Sequence, residues 1–125
     1  MFDPCEIVLV CGGRRYKNRQ FVYDTLDSIA TYYGIDLLVH GGAAGADTLA
    51  DEWAKDRGVP PVRWDALWDA EGRAAGPQRN GRMFDFMQPT RVVAFPGGAG
   101  TNNTIKRTTD AIKKGMEVVL DVRDP

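Results

Sequence analysis

Cysteine is scarce in this chain of 125 residues: Cys5 and Cys11 are the whole supply, which excludes a disulfide framework and points to a reducing setting. Histidine is scarcer still. With His40 alone and two distant cysteines there is no metal-ligand spacing, so no metal site is expected. Apolar runs are too short to span a bilayer, and Met1 to Glu6 lacks the basic and apolar blocks of a leader, so the chain reads as cytoplasmic with no membrane partner. A basic excess is missing too. Sixteen Lys and Arg against 17 Asp and Glu give a formal charge of -1, which argues against a broad surface for duplex nucleic acid.

What the chain does have is glycine, concentrated in three turns: Gly12-Gly13-Arg14-Arg15, His40 to Asp47, and Phe95-Pro96-Gly97-Gly98-Ala99-Gly100-Thr101. Each follows a short aliphatic run and precedes a helix-like stretch. A turn from a parallel strand into a helix leaves backbone N–H groups without partners and aims the positive end of the helix dipole outward, which suits an anion. Charge around these turns is local. Arg14, Arg15, Lys17, Arg19, Arg73, Arg79 and Arg82 fall in or beside loops expected on one face.

Ile7 to Cys11 is continuously aliphatic, as in a strand buried on both sides. Asn18 offers an N-cap for a helix carrying Val22, Leu26, Ile29 and Tyr33 and ended by Gly34. Leu37 to Val39, Val62 to Trp64, Arg91 to Phe95 and Val118 to Val122 read as further strands; Ala46 to Arg57, Pro77 to Met87 and a segment carrying Ile105, Thr108 and Ile112 read as helices. Asp65 to Gly76 shows no period and reads as a long loop, a candidate lid. The alternation predicts a single α/β domain over 1–125: a Rossmann-like, mainly parallel five-stranded sheet in the order 3-2-1-4-5 with helices on both faces. In that order all three turns converge beyond the carboxyl ends of the strands, at the crevice between strands one and four.

The candidate ligand-binding residues are Gly12, Gly13, Arg14, Gly41, Gly42, Ala43, Asp47, Arg79, Asn80, Pro96, Gly97, Gly98, Gly100 and Thr101. Arg79 has the geometry to clamp a phosphate or carboxylate with two bonds. Asp47 is open to two readings, a partner for a sugar hydroxyl or a first-turn acid set against the helix dipole; Thr101 reads either as a ligand contact or as an N-cap. No catalytic residue stands out. Trp53 reads as core, Trp64 and Trp68 as surfaces on which a base stacks, and Phe86 as a contact for a homodimer.

These blocks, with Trp68 and Ala74-Ala75-Gly76-Pro77-Gln78-Arg79-Asn80, resemble the YspA-related, cpYpsA-like branch of the SLOG superfamily in order and spacing. The resemblance implies a Rossmann-like domain that binds a nucleotide or phosphoribosyl-containing small molecule, often as a sensor or signalling module, with no other cofactor. Departures from the branch at Ala44 and Arg15 imply an altered ligand preference. The superfamily also contains the Lonely Guy phosphoribohydrolases and the single-strand DNA-binding DprA proteins. The former carry a glutamate three residues after the threonine of the Pro-Gly-Gly-x-Gly-Thr turn, where this chain has Thr104. Two alternatives follow: an N-glycosidic hydrolase using another acid, Asp47 or Glu71, and a single-strand nucleic-acid binder.

Overall fold

The computed structural model describes residues 5–125; the first four residues, part of the segment read above for a leader, lie outside it. Ile7–Cys11 forms β1, and its aliphatic side chains alternate between two cores, Val8 and Val10 on one face, Leu9 and Cys11 on the other. That two-sided burial makes β1 the centre of a sheet. Around it lie β2 (Leu37–His40), β3 (Pro61–Arg63), β4 (Arg91–Ala94) and β5 (Val119–Val122), all parallel, in the order β3-β2-β1-β4-β5. The order expected from the sequence is the order found. Helices α1 (Arg19–Tyr32) and α2 (Ala46–Arg57) cover one face through Val22, Leu26, Ile29, Ala50 and Trp53. Helices α4 (Ala75–Met87) and α5 (Ala99–Lys113) cover the other through Met83, Phe84 and Ile105.

Local chemistry sets most boundaries. Asn18 caps α1 by accepting from the Phe21 N–H at 3.1 Å, and Gly58, left-handed at φ 71°, ends α2. Trp53 is fully buried and satisfies its indole N–H on Asp27 at 2.8 Å. Tyr33 departs from its expected place on the helix with Val22, Leu26 and Ile29. It lies past the end of α1, is 60% exposed, and carries the Arg91 guanidinium over its ring at 4.2 Å.

Asp65 to Gly76 is not a loop throughout. It contains α3 (Trp68–Glu71) and a 3₁₀ turn (Gly72–Ala74) before α4 opens at Ala75, two residues ahead of the expected start. A helix of four residues is too short to show a period in sequence. This segment is also anchored, because Arg82 on α4 donates to both carboxylate oxygens of Glu71, at 3.0 and 2.8 Å.

Gly45 shows where glycine is obligatory. Its φ is 77°, and a Cβ there would sit 2.2 Å from the Gly13 carbonyl oxygen. Gly98 has negative φ, and nothing lies within 4 Å of its missing Cβ. Gly45→Ala is therefore expected to lower stability by at least ~2 kcal/mol, from backbone strain and overlap together, while Gly98→Ala stays within ~0.5 kcal/mol of wild type. Urea melts of the two variants check this; equal losses would refute it.

Candidate functional site

The sheet order reverses between β1 and β4, and the segments leaving their carboxyl ends open onto a cavity of ≈ 710 Å³. From the first turn it is lined by Gly12, Gly13 and Arg14, from the second by Gly41, Ala43 and Asp47, and from the third by Gly98, Gly100 and Thr101. Arg79 and Asn80 line it from α4. Of the expected residues, Gly42, Pro96 and Gly97 do not. Gly42 lines an adjoining cavity, and Pro96, within the third turn, uses its carbonyl to accept the Gly13 N–H at 2.8 Å. The cavity also takes in Arg73 and Trp68, named above on other grounds, and Cys11, Asn103 and Thr104.

The amides of the three turns fare differently. In the second turn Asp47 Oδ2 accepts from Gly41 N–H at 3.2 Å and Ala43 N–H at 3.1 Å, and His40 Nδ1 accepts from Gly42 N–H at 3.0 Å. Those donors are taken. The expectation that this turn offers them to a ligand is therefore corrected: the carboxylate and the imidazole sit where an anion would. Acceptance at Nδ1 places the His40 proton on Nε2, which faces Asp51 at 2.9 Å. The third turn is open. Gly98 is the N-cap of α5 with no side-chain bond, and Thr101 lies inside the helix rather than capping it. The first N–H groups of α5 consequently point at the cavity with the dipole unscreened.

Nine of the eleven arginines fall into two sets; Arg15 and Arg107, which among the described residues also lack a carboxylate partner, lie off the cavity. Arg19, Arg57, Arg63, Arg82, Arg91 and Arg123 each lie on a carboxylate, whereas Arg14, Arg73 and Arg79, which line the cavity, have no carboxylate partner. Arg19 and Arg82 are thus removed from the expected cationic face. Arg79 is half-buried and held by neutral groups: it donates through Nη1 to the carbonyls of Gly41 and Trp64 and through Nε to Asn80 Oδ1 at 2.9 Å. Asn80 in turn donates to Asn103 Oδ1 at 3.2 Å, so it positions Arg79 and ties α4 to α5. Burial lowers the Arg79 pKa; the neighbouring Asp47 acts against that and Arg14 with it.

Arg14 stacks on Trp68, its Cζ 5.5 Å from the ring centroid, so an aromatic face and a cation share one wall. Trp64 does not line the cavity; its ring packs on Phe86, which is itself 76% exposed. Burial, then Asp47, push the Cys11 thiol up to about 12, which removes it as a nucleophile. Glu71 is bound to Arg82 and lies off the cavity. Thr104 faces the cavity, and its hydroxyl donates to the Gly100 carbonyl at 3.4 Å.

The model of the YspA, cpYpsA-related SLOG family matches residues 6–70. The chain is 37% identical over 121 residues to the Gene 61 protein of Mycobacterium phage D29, covering 90% of this chain and 93% of that one. The chain belongs to the YspA, cpYpsA-related SLOG family. Among solved structures, DNA processing protein A (DprA) from Streptococcus pneumoniae shares the fold with a TM-score of 0.58 at 15% identity, over 93% of this chain. The chain spans 58% of that protein. This SLOG chain therefore shares the Rossmann-like frame of DprA, and its glycine turns occupy the switch point of that frame.

Burial is the largest influence on Asp47 and raises its pKa, against the Ala43 amide, His40, Arg79 and the Gly41 amide, which lower it. For an acid held high in the folded state, ionisation costs stability. That cost is absent below the unfolded pKa of about 4 and grows as pH rises toward the folded value. Asp47→Asn keeps one acceptor for both amides and removes the buried charge, so it should melt at or above wild type at pH 7. Asp47→Ala strands two amides and should lose about 1–3 kcal/mol for each. Thermal melts at pH 4 and 7 test this, and an Asn variant no more stable than the Ala variant would contradict it.

Proposed function

We propose that this SLOG domain binds a nucleotide or nucleotide-derived ligand in the cavity at the β1/β4 switch point and acts as a sensor rather than a hydrolase. One observation carries the reading: the uncapped start of α5 opens into a cavity whose three arginines have no carboxylate partner. Elsewhere among the described residues six arginines lie on acids and Arg15 and Arg107 do not, so what calls for an anion is the gathering of three uncompensated guanidiniums at one cavity. Trp68 supplies a flat apolar face for a base beside them, and the volume lies within the roughly 300–1,000 Å³ of small-molecule clefts.

Turnover lacks a second carboxylate. Cleaving an N-glycosidic bond calls for an acid that stabilises an oxocarbenium ion or activates water. Asp47 lines the cavity but spends Oδ2 on two amides, and Thr104 presents a hydroxyl bonded to a carbonyl. The near-neutral net charge places single-strand nucleic acid behind a small molecule.

Melting the protein with mono-, di- and cyclic nucleotides tests the proposal, since a ligand at a hundred times its dissociation constant stabilises by about 2.7 kcal/mol. At least one should raise the melting temperature, and Arg79→Ala, folded by circular dichroism, should weaken its binding tenfold or more. The absence of a shift with every nucleotide would overturn the reading. Chromatography after incubation with nucleoside monophosphates should show no released base; a free base would replace the sensor with an enzyme.

A further inference from the structure

A second cavity of ≈ 360 Å³ adjoins the first, and the two share Arg14, Gly41, Ala43, Trp68 and Arg79. The partition between them is therefore built from two guanidiniums without carboxylate partners and one aromatic ring. Beyond it the character changes. The second cavity is lined by Gly42, Ala44, Arg63, Asp65 and Ala66, and Arg63 and Asp65 neutralise one another at 2.6 Å.

Charge is thus graded along the combined space. The α5 N-terminus and Arg73 belong to the first cavity alone, Arg14 and Arg79 to the boundary, and a self-compensated pair with paired donors and acceptors to the far end. A single phosphate placed on α5 leaves the boundary cations unanswered; two phosphates in succession answer both. The far end, polar and neutral in sum, suits hydroxyls rather than a third charge. Resting on the nucleotide reading above, we propose that the ligand is a nucleoside diphosphate carrying a sugar on its second phosphate: base and first phosphate in the larger cavity, second phosphate between Arg14 and Arg79, distal sugar in the smaller one.

Titration calorimetry with two series tests this, AMP, ADP and ADP-ribose beside UMP, UDP and UDP-glucose. In at least one series the sugar-bearing diphosphate should bind tenfold or more tighter than the monophosphate. Ala44→Trp, which narrows only the smaller cavity, should remove the gain of the sugar-bearing probe over the plain diphosphate. Ala66→Leu should reduce that gain in the same sense, and both variants are compared with wild type by circular dichroism melts. Monophosphates binding as tightly as the sugar diphosphates would overturn the two-cavity assignment and leave nucleotide binding standing. So would a gain that both variants preserve. If no member of either series binds, the nucleotide reading fails with it.

Discussion

The backbone of one residue holds the cavity's turns together. The Gly13 N–H donates to the Pro96 carbonyl at 2.8 Å, and the Gly13 carbonyl accepts from Ala46 N–H at 3.1 Å and from Tyr16 N–H at 3.2 Å. The turns after β1, β2 and β4 are thereby linked through a single residue. Contact this close is possible because side chains are missing where the turns meet: a Cβ on Gly12 would lie 2.5 Å from that of Ala46. Glycine here lets backbone meet backbone as much as it lets a ligand approach, and the cavity's geometry follows from that packing.

Once the turns are stitched, their polar groups sort by what is left over. The second turn closes on itself through Asp47 and His40, and the first gives its Gly13 amide to the third. The start of α5, with no side-chain cap, keeps its donors for something else. The same sorting governs the arginines. Arg19, Arg57 and Arg82 on the helices and Arg91 on β4 meet carboxylates, whereas Arg79 is fixed by carbonyls and an amide, groups that orient a guanidinium without cancelling its charge. Orientation without neutralisation is what an anion site requires.

Much of this was legible in the sequence. Ile7 to Cys11 announces a central strand because every side chain is apolar, and the strand order follows from alternation and the handedness of crossovers. Glycines at strand ends located the site's rim. The sequence could not show which amides stay free, because that depends on whether Asp47, four and six residues downstream of its partners, folds back onto them. Nor could it separate Arg82, committed to Glu71, from Arg79, which no acid claims, since pairing is decided by contacts across elements. Helix α3 is invisible in sequence because one turn carries no period.

The arrangement also has a cost that bears on function. With glycine at its N-cap the start of α5 forgoes roughly a few tenths of a kcal/mol relative to a side-chain cap, and three guanidiniums around one cavity repel one another, with Arg79 already held below its usual pKa by burial and by Arg14. Such terms lower the stability of the empty domain, and an anion seated at α5 relieves both together. On the proposed reading, binding and folding would be coupled through the same atoms, and the elements that would register a ligand, α4 and α5, are the two that Asn80 joins to Asn103. Were the domain to report occupancy as proposed, tightening the seam between two helices on one face of a parallel sheet is a route that the bond from Asn80 to Asn103 provides.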